Sequence, residues 1–178
     1  MAYFGQQIKG SRVLNKTGRV DFSAPYNRSL RLIDNNDAEA FRLNQIAAED
    51  GMHDAVLAMG WFYLNGVGVK ANEDEAVRWY RRSARQGEPR AMFSLGYIAY
   101  FRKDYSEALK WFEQALRKNH HRSGFWLGKM HWRGQSVDRD RKRAQSYFAQ
   151  AAQRKVVEAQ RAIRFLAFLS GRKSTTSD

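Results

Sequence analysis

Residues 53–88, HDAVLAMGWFYLNGVGVKANEDEAVRWYRRSARQGE, contain two apolar patterns of helical period separated by a Gly-x-Gly loop. The second pattern opens at Asn72, and Glu75 follows three positions later, which is the spacing of a reciprocal capping box. Gly87 closes the stretch, because glycine adopts the left-handed conformation that ends helices at the lowest cost. The stretch therefore predicts a helix hairpin, and one such hairpin cannot bury both of its faces without copies of itself on either side.

The same pattern recurs along the chain with a period of about 34 residues. Residues of the types that cap helices fall at intervals of 36, 32 and 36 positions, at Asn36, Asn72, Asp104 and Asp140. The positions predicted to end the second helices hold Gly51, Gly87, Asn119 and Lys155. The first helices of three hairpins contain Met59-Gly60, Leu95-Gly96 and Leu127-Gly128, where glycine would allow close helix approach. So many positions in one register predict stacked helix hairpins rather than a single globular core.

The register also predicts the organisation of the chain. Helices are expected at about 37–49, 53–65, 72–86, 89–101, 104–118, 121–133, 140–154 and 156–169. Residues 37–169 are then a repeat array of about three full hairpins with flanking helices. Residues 1–36 do not fit the register and are expected to form an irregular arm or end cap, with a small hairpin as one option near 13–20. The polar residues 170–178 are expected to be a disordered tail.

Composition excludes several classes of protein. The 178 residues contain no cysteine, which rules out disulfides and thiol chemistry. No apolar run approaches the roughly 20 residues that a membrane-spanning helix needs, and the N-terminal stretch lacks the apolar region of a secretory signal. We therefore expect a cytoplasmic protein without a membrane span.

The net charge of +13 is unevenly distributed. Residues 34–89 contain 6 basic and 10 acidic side chains, whereas residues 90–178 contain 19 basic and 7 acidic side chains. Such asymmetry favours an anionic partner for the basic half. The alternative is that the repeats keep charged outer faces only for solubility.

Several residues that are able to perform chemistry have simpler explanations. No two of the four histidines have the i, i+4 spacing of a metal pair, and His131 falls at the position of Tyr63, where it is expected to pack between helices. The acidic run at Glu73 lies at a helix start, where negative charge is favourable. No strand precedes Gly66-x-Gly68, so this motif is not expected to bind a nucleotide. We predict no enzymatic activity, no metal and no cofactor.

The repeat unit A-x3-[LM]-G-x2-[YA], a loop, and a capped E-A-x2-W-[YF]-x3-A-x2-G resembles the Sel-one-like repeat (SLR) family, which is related to the tetratricopeptide repeats. Residues 55–87 match nearly the full pattern, and the resemblance covers about residues 37–165. Residues 91–119 lack the Gly-x-Gly loop, and residues 123–155 keep only Gly134 of it. The resemblance implies an all-α fold, a right-handed α-solenoid of stacked antiparallel helix hairpins, that acts as an adaptor for other proteins.

In the fold that the resemblance implies, the first helix of each hairpin lines a concave groove. Aromatic side chains with nearby cations favour binding there, because such residues dominate the energetics of interfaces. The predicted groove residues are Trp61, Arg90, Phe93, Tyr97, Tyr100, Arg122, Phe125, Lys129, Trp132 and Arg133. The corresponding positions of the last helix hold Arg161, Phe165 and Phe168. The alternative is that several of these rings pack on neighbouring helices.

Two functions remain open from the sequence. The first is a protein–protein interaction module that binds an acidic segment of a partner protein in the groove. The second is binding of RNA or another anionic polymer through the basic C-terminal half, with a secondary basic patch that contacts phosphate. The patch residues are Arg139, Arg141, Lys142 and Arg143. The salt dependence of binding distinguishes the two functions, because phosphate contacts make affinity fall steeply as the salt concentration rises.

Overall fold

The computed structural model describes residues 23–173, which form nine α-helices and contain no strand within that range. The helices are α1 (Ser23–Leu32), α2 (Asp37–Glu49), α3 (His53–Asn65), α4 (Glu73–Arg85), α5 (Pro89–Phe101), α6 (Tyr105–Arg117), α7 (Arg122–Arg133), α8 (Arg141–Gln153) and α9 (Val157–Lys173). The chain divides into two compact units, one up to Ala91 and one from Met92 onward.

The second helices begin at the four predicted caps. In each case the side-chain oxygen of the cap accepts a hydrogen bond from a backbone N–H of the first helical turn, so it satisfies a donor that the helix itself leaves unpaired. These caps are Asn36, Asn72, Asp104 and Asp140. This part of the sequence prediction is confirmed.

The reciprocal half of the capping box at Asn72 is not formed. The Asn72 backbone N–H donates to the carbonyl of Tyr63 instead, at 2.8 Å. The Glu75 carboxylate accepts from Arg78 on the next turn. The spacing predicted the wrong partner because the preceding helix offers a main-chain acceptor that the Asn72 N–H uses instead.

The predicted helix ends are also confirmed. Gly51, Gly87, Asn119 and Lys155 all have positive φ, at 87°, 89°, 65° and 62°. This conformation lets the N–H groups that follow each helix bond to its last carbonyls. Asn119 and Lys155 adopt it without being glycine, so the register rather than the residue type determines the turn.

The glycines inside the first helices lie under aromatic rings of the second helices. A Cβ at Gly60, Gly96 or Gly128 would lie 2.5, 2.8 or 2.7 Å from the nearest ring atom. The rings belong to Tyr80, Phe112 and Phe148 respectively. The predicted close approach is therefore made by a ring that crosses the helix, and at Gly128 the main-chain oxygen of Ala144 is also near, at 3.1 Å.

The first unit contains a helix that the repeat pattern does not predict. Residues 23–32 were expected to be an irregular arm or cap, but they form α1, which packs along α2 and supplies the first half of a hairpin. Tyr26 packs against the core of this unit, and the buried hydroxyl of Ser29 donates to the Tyr26 carbonyl. Pro25 lies in the first turn of α1, where a missing N–H is harmless. The small hairpin considered near 13–20 lies outside the described residues.

The Gly-x-Gly loop of the first unit serves packing. A Cβ at Gly68 would overlap the main-chain carbonyl of Asp37, at the start of α2. The side of the loop at Gly68 is thus occupied by the start of α2.

The second unit has its own core. The core residues are Ala99, Tyr100, Ala108, Phe112, Trp126, Leu127 and Met130. His131 is 4% exposed and stacks on Tyr147 with ring centroids 5.5 Å apart, so it packs between helices as predicted. The last helix, α9, continues to Lys173, so the first residues of the expected tail are helical, and residues 174–178 lie outside the described range.

Candidate interaction surface

An exposed pair of aromatic rings lies on α5 in the second unit. Tyr97 is 40% exposed and Phe101 is 60% exposed, and their ring centroids lie 4.6 Å apart. Because they lie on consecutive turns, the two rings form one apolar ledge. Tyr97 is a predicted groove residue, whereas Phe101 is not.

The floor beneath this ledge is aromatic and buried. Tyr100, a predicted groove residue, is only 7% exposed, and its ring packs edge-on against Trp126 with centroids 4.8 Å apart. The Tyr100 hydroxyl donates to Gln135 at 3.0 Å and accepts from Arg133 at 3.3 Å. For Tyr100, the alternative given by the sequence, packing on a neighbouring helix, is the one that the structure shows.

Two cations of α7 border the ledge. The Lys129 ammonium lies 4.4 Å from the Trp126 ring centroid and 5.1 Å from that of Tyr100, within the range of cation–π attraction. Arg133 is exposed and is held by its bond to the Tyr100 hydroxyl. Trp126 also contacts Tyr97, at 5.3 Å between centroids, so the cations and the ledge share one floor. We call Tyr97, Phe101, Lys129 and Arg133 the aromatic–basic surface.

The other predicted cations are paired with carboxylates. In the first unit, Arg90 bonds to Glu88 and to Asp54, both at 2.7 Å, and the hydrogen bond to Glu88 is the main cause that raises the pKa of Arg90. In the second unit, Arg122 pairs with Glu158 at the start of α9. Both arginines thus join the starts of helices that are one repeat apart, and their charge is already balanced.

The remaining predicted rings lie outside the aromatic–basic surface. Phe93 and Phe125 are half-buried and pack on rings of the second helix of their own hairpins, each at 5.8 Å between centroids. Trp132 is half-buried, with the guanidinium of Arg141 5.4 Å from its ring centroid. Trp61 belongs to the first unit and is 40% exposed. Of the ten predicted residues, the structure thus brings together Tyr97 and Arg133, which are exposed, and Lys129, which is half-buried.

The predicted secondary patch is exposed and lies at the start of α8. All four of its side chains, those of Arg139, Arg141, Lys142 and Arg143, are exposed within one turn of the helix start. The first turn of α8 contains no acidic residue, so positive charge faces the positive end of the helix dipole. The acidic cap Asp140 lies at the same helix start and complements the dipole there.

Phe101 is the exposed residue that the sequence analysis missed. It follows Tyr97 by four positions, just as Tyr97 follows Phe93, so the signal was present as an aromatic series at i, i+4 and i+8. The prediction followed the i+7 position instead and selected the buried Tyr100.

Between residues 23 and 173, no group of three or more His, Asp or Glu side chains is placed to hold a metal ion. In the same range, no helix combines the length and the apolar character needed to cross a bilayer.

The hairpins share one register, begin their second helices at side-chain caps, and lay a ring of the second helix across a glycine of the first. These features define an α-hairpin repeat protein. The family model of the Sel1 repeat matches residues 53–88, 89–120 and 125–156, and the chain belongs to this family. The predicted all-α fold, an α-solenoid of helix hairpins, is thereby confirmed. Sel1 repeat proteins are generally interaction scaffolds rather than enzymes.

Solved structures and a curated sequence agree with this assignment. A Sel1 repeat protein from Oxalobacter formigenes superposes with a TM-score of 0.74 at 24% identity, over 82% of this chain and 63% of that one. The c5321 protective antigen of uropathogenic Escherichia coli, described as an SLR fold, superposes with a TM-score of 0.69 at 24% identity, over 78% of this chain and 32% of that one. The chitin synthase regulator SKT5 of Malassezia restricta is 34% identical over 68 residues, which are 38% of this chain and 5% of that protein. The chain thus spans less than two thirds of each.

Proposed function

We propose that this protein is a non-enzymatic adaptor that binds an acidic segment of a partner protein through the aromatic–basic surface. The observation that supports this most is the exposed pair Tyr97 and Phe101 beside two cations held on a buried aromatic floor. Aromatic rings and arginine are the residues that most often dominate binding energy. Their positions are fixed by packing before a partner arrives, which lowers the entropy lost on binding.

The charge of the second unit supports an acidic partner. Residues 92–178 contain 18 basic and 7 acidic side chains, a formal charge of +11. In the described part of the chain, Lys129 contacts aromatic rings and Arg133 contacts a hydroxyl, and neither is paired with a carboxylate. A carboxylate of the partner can therefore bond to them without displacing an internal ion pair, whereas at Arg122 it would compete with Glu158.

A second candidate is binding of RNA or another anionic polymer. The observation that favours it is the basic start of α8, where four cations lie against the helix dipole and Arg141 stacks on Trp132. Stacked rings beside guanidinium groups are suited to bases and phosphates. The two candidates use different surfaces, so variants can separate them.

The test compares three variants in capture from the native cell extract, followed by calorimetry with the purified partner. The ledge variant is Tyr97→Ala with Phe101→Ala, the cation variant is Lys129→Glu with Arg133→Glu, and the control is Arg139→Glu with Arg143→Glu. The ledge variant should lower affinity by about a hundredfold to a thousandfold, because two hot-spot residues cost about 2 kcal/mol each with incomplete additivity. The control should weaken only long-range attraction.

Circular dichroism and thermal melting of each variant establish that it is folded. A control that loses the partner, together with a ledge variant that keeps it, would overturn the proposal and favour the anionic polymer. The cation variant should lose selectivity for acidic partners, and its melting temperature should fall modestly, because the contacts of Lys129 with two rings and of Arg133 with the Tyr100 hydroxyl are lost.

A further inference from the structure

The first helices of the second unit present an alternating row at equivalent repeat positions. Tyr97, Lys129 and Phe165 are separated by 32 and 36 residues, the intervals of the repeat, and so occupy the same position on α5, α7 and α9. Tyr97 is 40% exposed and Phe165 is 59% exposed, while Lys129 is half-buried over its two rings. The row is therefore apolar at both ends and cationic in the middle.

Contacts within the unit show that the three helices are neighbours in this order. Tyr97 of α5 packs on Trp126 of α7, and Arg122 of α7 forms an ion pair with Glu158 of α9. Equivalent positions of stacked repeats lie on the same face. The three side chains of the row therefore face the same side of the unit.

Each end of the row is reinforced by a second ring. Phe101 lies one turn after Tyr97 and is 60% exposed, and Phe168 lies one turn after Phe165 and is 58% exposed. Arg133 lies four positions after Lys129, as Phe101 does after Tyr97, whereas Phe168 lies three positions after Phe165. Two apolar ledges thus flank a pair of cations.

Helix spacing sets the length of a segment that can reach both ledges. Packed helices lie about 8–10 Å apart, so α5 and α9 are separated by about 16–20 Å. An extended chain rises about 3.3 Å per residue, and its side chains alternate between faces, so residues six positions apart span about 20 Å on one face. The two positions between them on that face then lie over α7.

We infer that this surface binds an extended segment with large apolar side chains at positions i and i+6 and with Asp or Glu at i+2 and i+4. The inference rests on the proposed function and names the chemistry of its partner. The two apolar side chains contact the ledges of α5 and α9, and the carboxylates bond to Lys129 and Arg133. Residues 1–22 of the chain itself contain four basic side chains and one acidic side chain, so that segment lacks the complementary charge.

The experiment selects binders from a display library of random peptides of about twelve residues, and then measures the affinity of synthesised peptides by fluorescence anisotropy. The expected selection is enriched in two large apolar residues six positions apart with acidic residues between them. The α9 variant, Phe165→Ser with Phe168→Ser, should weaken such peptides by about tenfold or more. The α9 variant should not change the affinity for a peptide that has only the first of the two apolar residues. Val157→Ser is the matched control, because Val157 is 52% exposed on α9 but lies outside the row.

The outcomes separate this inference from the proposed function. If the ledge variant of α5 loses the peptides and the α9 variant keeps them, the inference fails and the proposed function stands. If neither variant changes affinity, or if the library yields no binder, both fail. Selected peptides with helical i, i+3, i+7 spacing would overturn the extended conformation. Binding of the α9 ledge to anionic phospholipid vesicles, with no selection of acidic peptides, would overturn the class of partner.

Discussion

The hairpins α3–α4 and α7–α8 have the same internal design in spite of different sequences. Each second helix begins at a side-chain cap, Asn72 or Asp140. Each first helix has a glycine beneath a ring of the second helix, in pairs formed by Gly60 with Tyr80 and by Gly128 with Phe148. The fold of a hairpin therefore depends on a few caps, glycines and rings whose positions the register determines.

The same two hairpins differ in the charge of their second helices. Helix α4 begins with Glu73, Asp74 and Glu75, which complement the helix dipole, whereas α8 begins with Arg141, Lys142 and Arg143, which oppose it. Because both helices form, surface charge is free to vary without loss of the fold.

The largest expected loss of stability comes from substitutions at the glycines that both hairpins place beneath a ring. Gly60→Leu and Gly128→Leu should each lower the free energy of unfolding by about 1–3 kcal/mol, because the new side chain meets the ring that crosses the helix. Chemical denaturation measures the change. Arg164→Leu is the control, since Arg164 occupies the equivalent position on α9 and is exposed. Equal stability of the glycine variants and the control would contradict the packing described here.

A smaller effect is expected at the helix ends, where Gly87 and Lys155 occupy equivalent positions with φ of 89° and 62°. Lys155→Gly should raise the free energy of unfolding by about 1 kcal/mol, because a left-handed backbone is unfavourable for a side chain. Gly87→Lys should lower it by a similar amount. Thermal melting detects both changes, and shifts of the same sign in the two variants would show that the ends are not equivalent.

The charge difference itself predicts a still smaller effect. Lys142→Glu should stabilise the protein by about 0.3–1 kcal/mol, because it places a negative charge at the start of α8. Asp74→Lys, at the equivalent position of α4, should be destabilising. The stabilisation by Lys142→Glu should fade in melts at high salt, where surface charges are screened. Destabilisation by Lys142→Glu would instead indicate that the basic start of α8 supports the fold.

The smallest expected effect concerns Tyr63 and His131, which occupy the same position in the two hairpins. Burial, together with the positive charge of Arg143, lowers the pKa of His131, while Asp140 and Glu113 partly offset the shift. The unfolded chain therefore binds a proton more readily, so stability should decline as the pH falls below about 6.5. His131→Tyr should remove this part of the pH dependence in melts between pH 5 and pH 8. An unchanged slope would show that His131 is not responsible.

Most of the fold was predictable because every repeat has the same kinds of helix-start and helix-end residues at equivalent positions. The helix bounds from α2 to α8 agree with the prediction within one residue at each end, since caps and left-handed residues mark both ends. Helix α1 was not predicted, because a helix that pairs with a single neighbour shows only part of the repeat pattern. The error at Glu75 has a similar cause, since a capping box describes local spacing and not the competing carbonyl of Tyr63.

Less of the candidate surface was predictable. The sequence places Tyr97 and Tyr100 on one face of α5, but it does not tell which side of that face the next hairpin covers. Trp126 and Lys129 of α7 cover Tyr100, which leaves Phe101 exposed instead. The pairing of Arg122 with Glu158 likewise joins residues 36 positions apart, whose contact depends on how the repeats stack.

Whether the ledge binds the partner is tested by the affinity of the captured partner for the ledge variant, Tyr97→Ala with Phe101→Ala, measured by calorimetry at two salt concentrations. We predict a loss of about a hundredfold or more at both concentrations, because apolar contacts of the ledge are not screened by salt. An unchanged affinity, combined with the steep salt dependence of a phosphate-binding protein, would contradict it.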